Sequence, residues 1–219
     1  MLTPDEQAAF LRSAENVRRV AERHLRTHRT QQAVVTFISN FQHGVSRVVQ
    51  SSIERGVKIA CRAGCNHCCH ARVETIAPEV FRIARELAGR PPDELDDLVQ
   101  RLSEHVALNN DASSWNQRTE CPFLVNALCS IYDVRPSTCR KAHSLDVRNC
   151  QINAPEIPQD LEIVIGVEAL AKGTKDAYRS LGFDASGHEL VRAVLLALSD
   201  PSAESRWYSG NGVFTPESP

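Results

Sequence analysis

The chain has no excess of charge of either sign: 25 Lys and Arg stand against 27 Asp and Glu across 219 residues, a formal net charge of -2. That balance excludes the bulk positive field that draws nucleic acid or acidic membranes, so electrostatics names no partner. Long hydrophobic runs are missing too. No segment approaches the roughly 18 uninterrupted apolar residues of a membrane span. The first twenty residues, MLTPDEQAAFLRSAENVRRV, place acids and arginines where a secretory signal needs an apolar stretch. The expectation is a soluble, cytoplasmic protein with no membrane association. There is also no internal repeat and no low-complexity tract. The length suffices to bury a core without crosslinks, and the simplest reading is one domain over residues 1–208 followed by an irregular tail, 209–219.

What the chain does have is cysteine, eight in all. A reducing compartment disfavours stable disulfides, which turns clustered thiols toward metal ligation or redox chemistry. Packing as small buried hydrophobes does not require such density, and four disulfides would require an export signal that is not visible.

Helical periodicity dominates elsewhere. Thr3-Pro4-Asp5-Glu6 reads as a capping box with a first-turn proline, and Phe10, Ala14, Val17, Ala21 and Leu25 recur at helical spacing, predicting a helix over 4–27. A second apolar stripe, Val34, Ile38, Phe41, Val45, Val48 and Ile53, predicts a partner helix that ends near Gly56 and pairs with the first as an antiparallel hairpin. Helices are expected over Pro78–Leu87, Pro92–Leu108, Leu161–Leu181 and Leu190–Leu198, the last behind a capping box at Ser186–Glu189, with a short one after Pro201. Asn109 to Arg118 reads as a loop. The fold class is mainly α, with a loop-rich cysteine core and at most a short β-hairpin.

The first cysteine cluster is Cys61-Arg-Ala-Gly-Cys65-Asn-His-Cys68-Cys69. Gly64 permits a tight turn beside Cys65, and the two-residue gap from Cys65 to Cys68 has the knuckle spacing that brings two sulfurs onto one tetrahedral metal. Adjacent Cys68 and Cys69 point in different directions, so one serves that metal while its neighbour serves a second site, bridges two metals or stays free. The second group comprises Cys121, Cys129, Cys139 and Cys150. Cys121 to Cys129 suits a hairpin turning at Asn126-Ala127. Asp133 is placed to N-cap a helix containing Pro136, with Cys139 in an early turn where free amides and nearby cations favour thiolate.

Four thiolates on a divalent metal leave two negative charges to be offset. Arg62, Arg135, Arg140, Lys141 and Arg148 lie close by in sequence, and Arg135 and Arg140 are the preferred counter-charges. His67, His70 and His143 also fall near the cysteines; imidazole suits zinc and iron alike, and hydrogen bonding to sulfur or plain exposure are the competing roles. His24, His28, His43, His105 and His188 fall on predicted helices, apart from the clusters.

These residues together resemble the cysteine-cluster family called CxxCxxCC or YkgJ-like, described as zinc- or iron-chelating. The resemblance runs from about Cys61 to Cys150, through the run ending in Cys68-Cys69, Cys121-Pro122-Phe123-Leu124, Cys129-Ser-Ile131-Tyr132 and Arg135-Pro136 leading to Cys139-Arg140. The chain departs from the pattern with three residues between Cys61 and Cys65 where the short motif has two, and with no glycine at Asn126-Ala127. The resemblance implies metal chelation. One branch of the family resembles flagellin lysine N-methylases that use S-adenosylmethionine, but no glycine-rich strand-turn-helix for that cofactor is visible.

Three functions compete. The first is a metal-binding protein in which Cys61, Cys65, Cys68, Cys69, Cys121, Cys129, Cys139 and Cys150 hold zinc or iron, or an iron-sulfur cluster. The second is a metal-dependent enzyme, redox or methylase-like, with an open coordination position. The third is a metal or redox sensor whose partner protein the sequence does not identify.

Overall fold

The computed structural model describes residues 3–109 and 118–214; most of the loop expected at Asn109–Arg118 and the last five residues of the expected tail lie outside them. In chain order, helices α1 (Pro4–Thr27), α2 (Gln31–Thr36) and α3 (Ile38–Glu54) lead to a 3-10 turn (His67–His70), strand β1 (Glu74–Thr75), α4 (Ala77–Ala88) and α5 (Pro92–Leu108). Strands β2 (Leu124–Val125) and β3 (Leu128–Cys129) precede α6 (Ser137–Lys141), α7 (Val147–Gln151) and α8 (Leu161–Ser180). Strand β4 (His188–Glu189), α9 (Leu190–Ser199) and α10 (Ala203–Tyr208) follow. The protein is mainly helical, with two tiny two-stranded sheets. No helix among the described residues is long and apolar enough to cross a membrane.

The chain divides into two compact units, one of Met1–Cys61 with Arg140–Ala185, the other of Arg62–Cys139 with Ser186–Pro219. In the first, α1 starts as expected: the Thr3 hydroxyl accepts from the Glu6 amide while the Glu6 carboxylate accepts from the Thr3 amide. Its partner differs from the expected hairpin, because α1 and α3 both pack chiefly on α8. Gly173 explains the preference. A Cβ there would lie 2.3 Å from the Ala14 carbonyl and 2.6 Å from the Val17 Cβ, so the missing side chain lets α1 and α8 touch along their backbones. The single stripe expected from Val34 to Ile53 is divided at Phe37 into α2 and α3. Tyr178 of α8, fully buried, donates its hydroxyl to the Val34 carbonyl at 2.8 Å and ties α2 to the bundle.

In the second unit α4, α5 and α10 gather on α9. Val80, Ile83, Ala84 and Leu87 of α4 are buried as the periodicity predicts, and Phe81 meets Trp207 and Phe214 with ring centroids 5.6 and 5.5 Å apart. β1 pairs antiparallel with β4, Glu74 opposite Glu189 and Thr75 opposite His188. That pairing takes His188 out of the helix expected for it. It also corrects the start of α9: Glu189, not the Ser186 box, is the cap, its carboxylate accepting from the Val191 and Arg192 amides.

Candidate metal centre

The cysteines of the second unit are presented by turns, each with an identifiable cause. Gly64 takes φ +80, a conformation costly for other residues, and the Cys65 amide closes back on the Arg62 carbonyl at 3.0 Å. The chain then coils into the 3-10 turn, with the Cys69 amide on the Asn66 carbonyl at 2.9 Å and the Ala71 amide on the Cys68 carbonyl at 3.2 Å. The Cys69 carbonyl accepts from the Cys121 amide at 2.8 Å. That bond joins the two cysteine segments of this unit directly.

From Cys121 the chain enters the expected hairpin. Leu124 pairs with Cys129 and Val125 with Leu128, around Asn126 and Ala127 at φ 51 and 62. Positive φ at both central residues is the type I′ turn that matches strand twist; asparagine tolerates it, while alanine carries strain there. The Cys129 carbonyl then accepts from the Tyr132 amide and the Ile131 carbonyl from the Val134 amide, turning the chain toward α6.

Cys139 lies in the first turn of α6, which begins at Ser137, so Asp133 does not cap it. The cap comes from α4. Glu79, 1% exposed, accepts from the Ser137 amide at 2.7 Å, from the Ser137 hydroxyl at 3.2 Å and from the Thr75 hydroxyl at 2.9 Å. A buried carboxylate holding three donors fixes the short helix two residues before Cys139. The sequence carries a faint signal for it, a lone acid inside the apolar run Ile76-Ala77-Pro78-Glu79-Val80-Phe81.

Cys68, Cys69, Cys121, Cys129 and Cys139 act on one another electrostatically. Cys68 is exposed, and the other four are half-buried. A hydrogen bond with Cys69 draws the Cys68 thiol down to about 6, helped by Arg135 and Arg118. The same bond pushes the Cys69 thiol far up, with burial adding to it. Burial pushes Cys121 up to about 11, and burial followed by the neighbouring cysteines pushes Cys139 higher still. The expectation that α6 would favour thiolate at Cys139 is therefore reversed: desolvation of a buried sulfur outweighs the few amides of a five-residue helix. Among the described residues no three His, Cys, Asp or Glu side chains stand with their donor atoms already gathered as a metal-holding group.

Arg135 acts electrostatically on the Cys68 thiol and also lies over the Tyr132 ring, 3.7 Å from its centroid. Arg118, not foreseen, acts on Cys68 as well and donates to the His67 carbonyl. Arg140 belongs to the first unit, where it donates to the Ser46 hydroxyl at 3.3 Å; Lys141 pairs with Glu168 and Arg148 with Asp146. His70 places Nδ1 3.2 Å from the Asn66 carbonyl and Nε2 3.8 Å from Glu120.

Cys61 and Cys150 also lie in the first unit. Cys61 is exposed, and the Ala60 amide before it bonds the Ser144 carbonyl at 2.8 Å. Cys150 is half-buried on α7, whose N-cap is Asp146. His143 of this unit is committed at both ring nitrogens: Nε2 accepts from the Asp160 amide at 2.9 Å and Nδ1 faces the Lys141 carbonyl at 2.8 Å. That pairing is the neutral tautomer used as a brace.

Neither the curated proteins nor the solved structures gave a match to this chain. A family model did: residues 60–158, just under half of the chain, match CxxCxxCC, described as a "putative zinc- or iron-chelating domain". The matched segment holds all eight cysteines.

Proposed function

We propose that this protein binds zinc or iron through thiolates, with Cys68, Cys69, Cys121, Cys129 and Cys139 as the principal ligands and Cys65 beside them. The observation that supports this most strongly is the mutual influence of five thiols within one unit, beside the guanidinium groups of Arg118 and Arg135. The donor set suits the metals named: soft thiolates select zinc, iron and iron-sulfur clusters over hard cations. Burial makes Cys121 and Cys139 costly to ionise alone, and a divalent cation removes that cost by displacing their protons.

Cys68, already largely thiolate at neutral pH, is the natural first ligand. The 3-10 turn, the type I′ hairpin and the Glu79-capped helix then carry the remaining sulfurs. Bound zinc would hold these loops together, and bound iron would add electron transfer. Cys61 and Cys150, assigned to the ligand set on the sequence, are tested separately because they belong to the first unit.

The test is metal content of anaerobically purified protein and of eight single Cys→Ser variants. At least one equivalent of zinc or iron is expected, lost in the Cys121 and Cys139 variants. A fully reduced wild-type protein that carries no metal and takes up none from a zinc or ferrous solution contradicts the proposal.

A further inference from the structure

The end of α1 carries a pair of histidines in the unit that lacks the thiol cluster. His24 lies in the last turn and His28 is the C-cap, so the helix sets both on one face with Cβ atoms about 5–6 Å apart. Their imidazoles stack with centroids 4.4 Å apart and planes 27° from parallel. The run His24-Leu25-Arg26-Thr27-His28 has the spacing of helical two-histidine zinc sites. It lacks the glutamate after the first histidine that acts as general base in metalloproteases of that spacing, so the pair is suited to holding an ion and not to hydrolysis.

Each ring has a nitrogen to offer. His28 Nδ1 lies 3.1 Å from the His24 carbonyl; a carbonyl only accepts, so Nδ1 carries the proton and Nε2 keeps its lone pair. Metal-ligating histidines are commonly fixed in this way, one nitrogen donating to a carbonyl while the other faces the metal. His24 is half-buried against Phe37, ring centroids 4.9 Å apart, and among the described residues neither of its nitrogens has a hydrogen-bond partner. Burial, followed by the charge of His28, holds the His24 imidazole below its ordinary pKa, which keeps it neutral and able to ligate. His28 is exposed, so a cation reaches the pair from solvent.

The surroundings select the ion. Unsatisfied carbonyls at the end of this 24-residue helix carry partial negative charge, which favours a cation. Glu22 is already shared by Arg18 and Arg26, and Arg23 and Arg29 flank the pair in sequence. Hard cations that require carboxylate oxygens are therefore disfavoured, whereas a cation that gains from imidazole lone pairs is accommodated. Two ligands hold an ion less tightly than a set of thiolates, so the pair fills only when metal is supplied beyond what the cysteines take.

We propose that His24 and His28 form a second metal site, selective for late first-row divalent cations that favour nitrogen, nickel or copper, with water in the remaining positions. Both residues lie outside the matched segment 60–158, and the site does not depend on the cysteines.

Ni²⁺ is the probe, since copper(II) would oxidise the thiols. The full chain, reduced, treated with zinc and freed of excess metal by gel filtration, is titrated with Ni²⁺ by calorimetry while the histidine ring protons are followed by NMR. One equivalent is expected, without thiolate-to-nickel charge-transfer absorption, broadening His24 and His28 together; Mg²⁺ should show no saturable binding. His24→Phe, which keeps a ring against Phe37, and His28→Ala, at an exposed position, should each weaken that equivalent about tenfold or more, because the second ligand no longer binds intramolecularly. Cys121→Ser should leave it in place, which separates failure of this site from failure of the thiolate centre. No saturable Ni²⁺ binding, equal binding of Mg²⁺, an equivalent that survives either histidine variant undiminished, or one lost in Cys121→Ser would overturn the proposal.

Discussion

The α1–α8 pair and the cysteine loops 61–71 and 118–139 are held together by different physics. The helices bury Ala14, Ala21, Leu25, Ile163, Val167 and Tyr178, and α1 dresses its exposed face with ion pairs such as Arg18 with Glu15 and Glu22. The loops bury little apolar surface, chiefly Phe123, Ile131 and Val134. Their order comes from single devices: the Cys121–Cys69 backbone bond, the type I′ turn and the Glu79 cap. Regular structure tolerates loss of one contact, whereas a loop site built from single contacts needs each of them, and the proposed metal would supply the further crosslink.

The largest contrast should follow metal removal. Structural zinc is worth about 10–16 kcal/mol in apparent binding, against about 5–15 kcal/mol for the stability of a whole domain. A chelator should therefore abolish amide hydrogen-exchange protection over 118–139 while α1 and α8 stay protected. Equal loss in both regions would erase the distinction.

The reverse experiment attacks the helices. Gly173→Leu drives a side chain into the Ala14 carbonyl and Val17, and overpacking of this kind costs about 1–3 kcal/mol or more, read as a lower denaturation midpoint with metal content unchanged. Glu79→Ala strips the buried Ser137 amide and Thr75 hydroxyl of their acceptor, a loss of about 1–3 kcal/mol. It should also speed metal release, and Glu79→Gln, which keeps an acceptor oxygen, should recover much of both. Ala127→Gly should stabilise the hairpin by about 1 kcal/mol by relieving φ 62.

Thiol chemistry sharpens the comparison without touching stability. In metal-free protein, alkylation of Cys68 should be half-maximal near pH 6, rising above it as the thiolate forms and falling below it as the thiol is restored. An ordinary cysteine titrates near about 8.5. Cys69→Ala removes the hydrogen bond that holds Cys68 down, so the midpoint should move up; a midpoint that stays put would remove Cys69 from that role.

The two regions also differ in what a reader of the sequence can foresee. The helices were legible because burial imprints a period, and a short hairpin at Asn126-Ala127 was legible from the spacing of Cys121 and Cys129, though not its type I′ geometry. The packing of α1 on α8 was not, since it depends on the absence of a side chain at Gly173, which no periodicity reports. Glu79 and Arg118 escaped for a related reason. Each acts on a cysteine segment distant in sequence, across a contact that only the fold creates. Arg140 shows the converse, a neighbour of Cys139 in sequence that donates to Ser46.

X-ray absorption at the edge of the bound metal, on anaerobic protein, tests the central claim most directly. The account predicts a first shell of sulfur alone at about 2.3 Å, lost together with the metal in Cys121→Ser and Cys139→Ser. A shell of nitrogen and oxygen, with Cys68, Cys121 and Cys139 still open to alkylation, would contradict it.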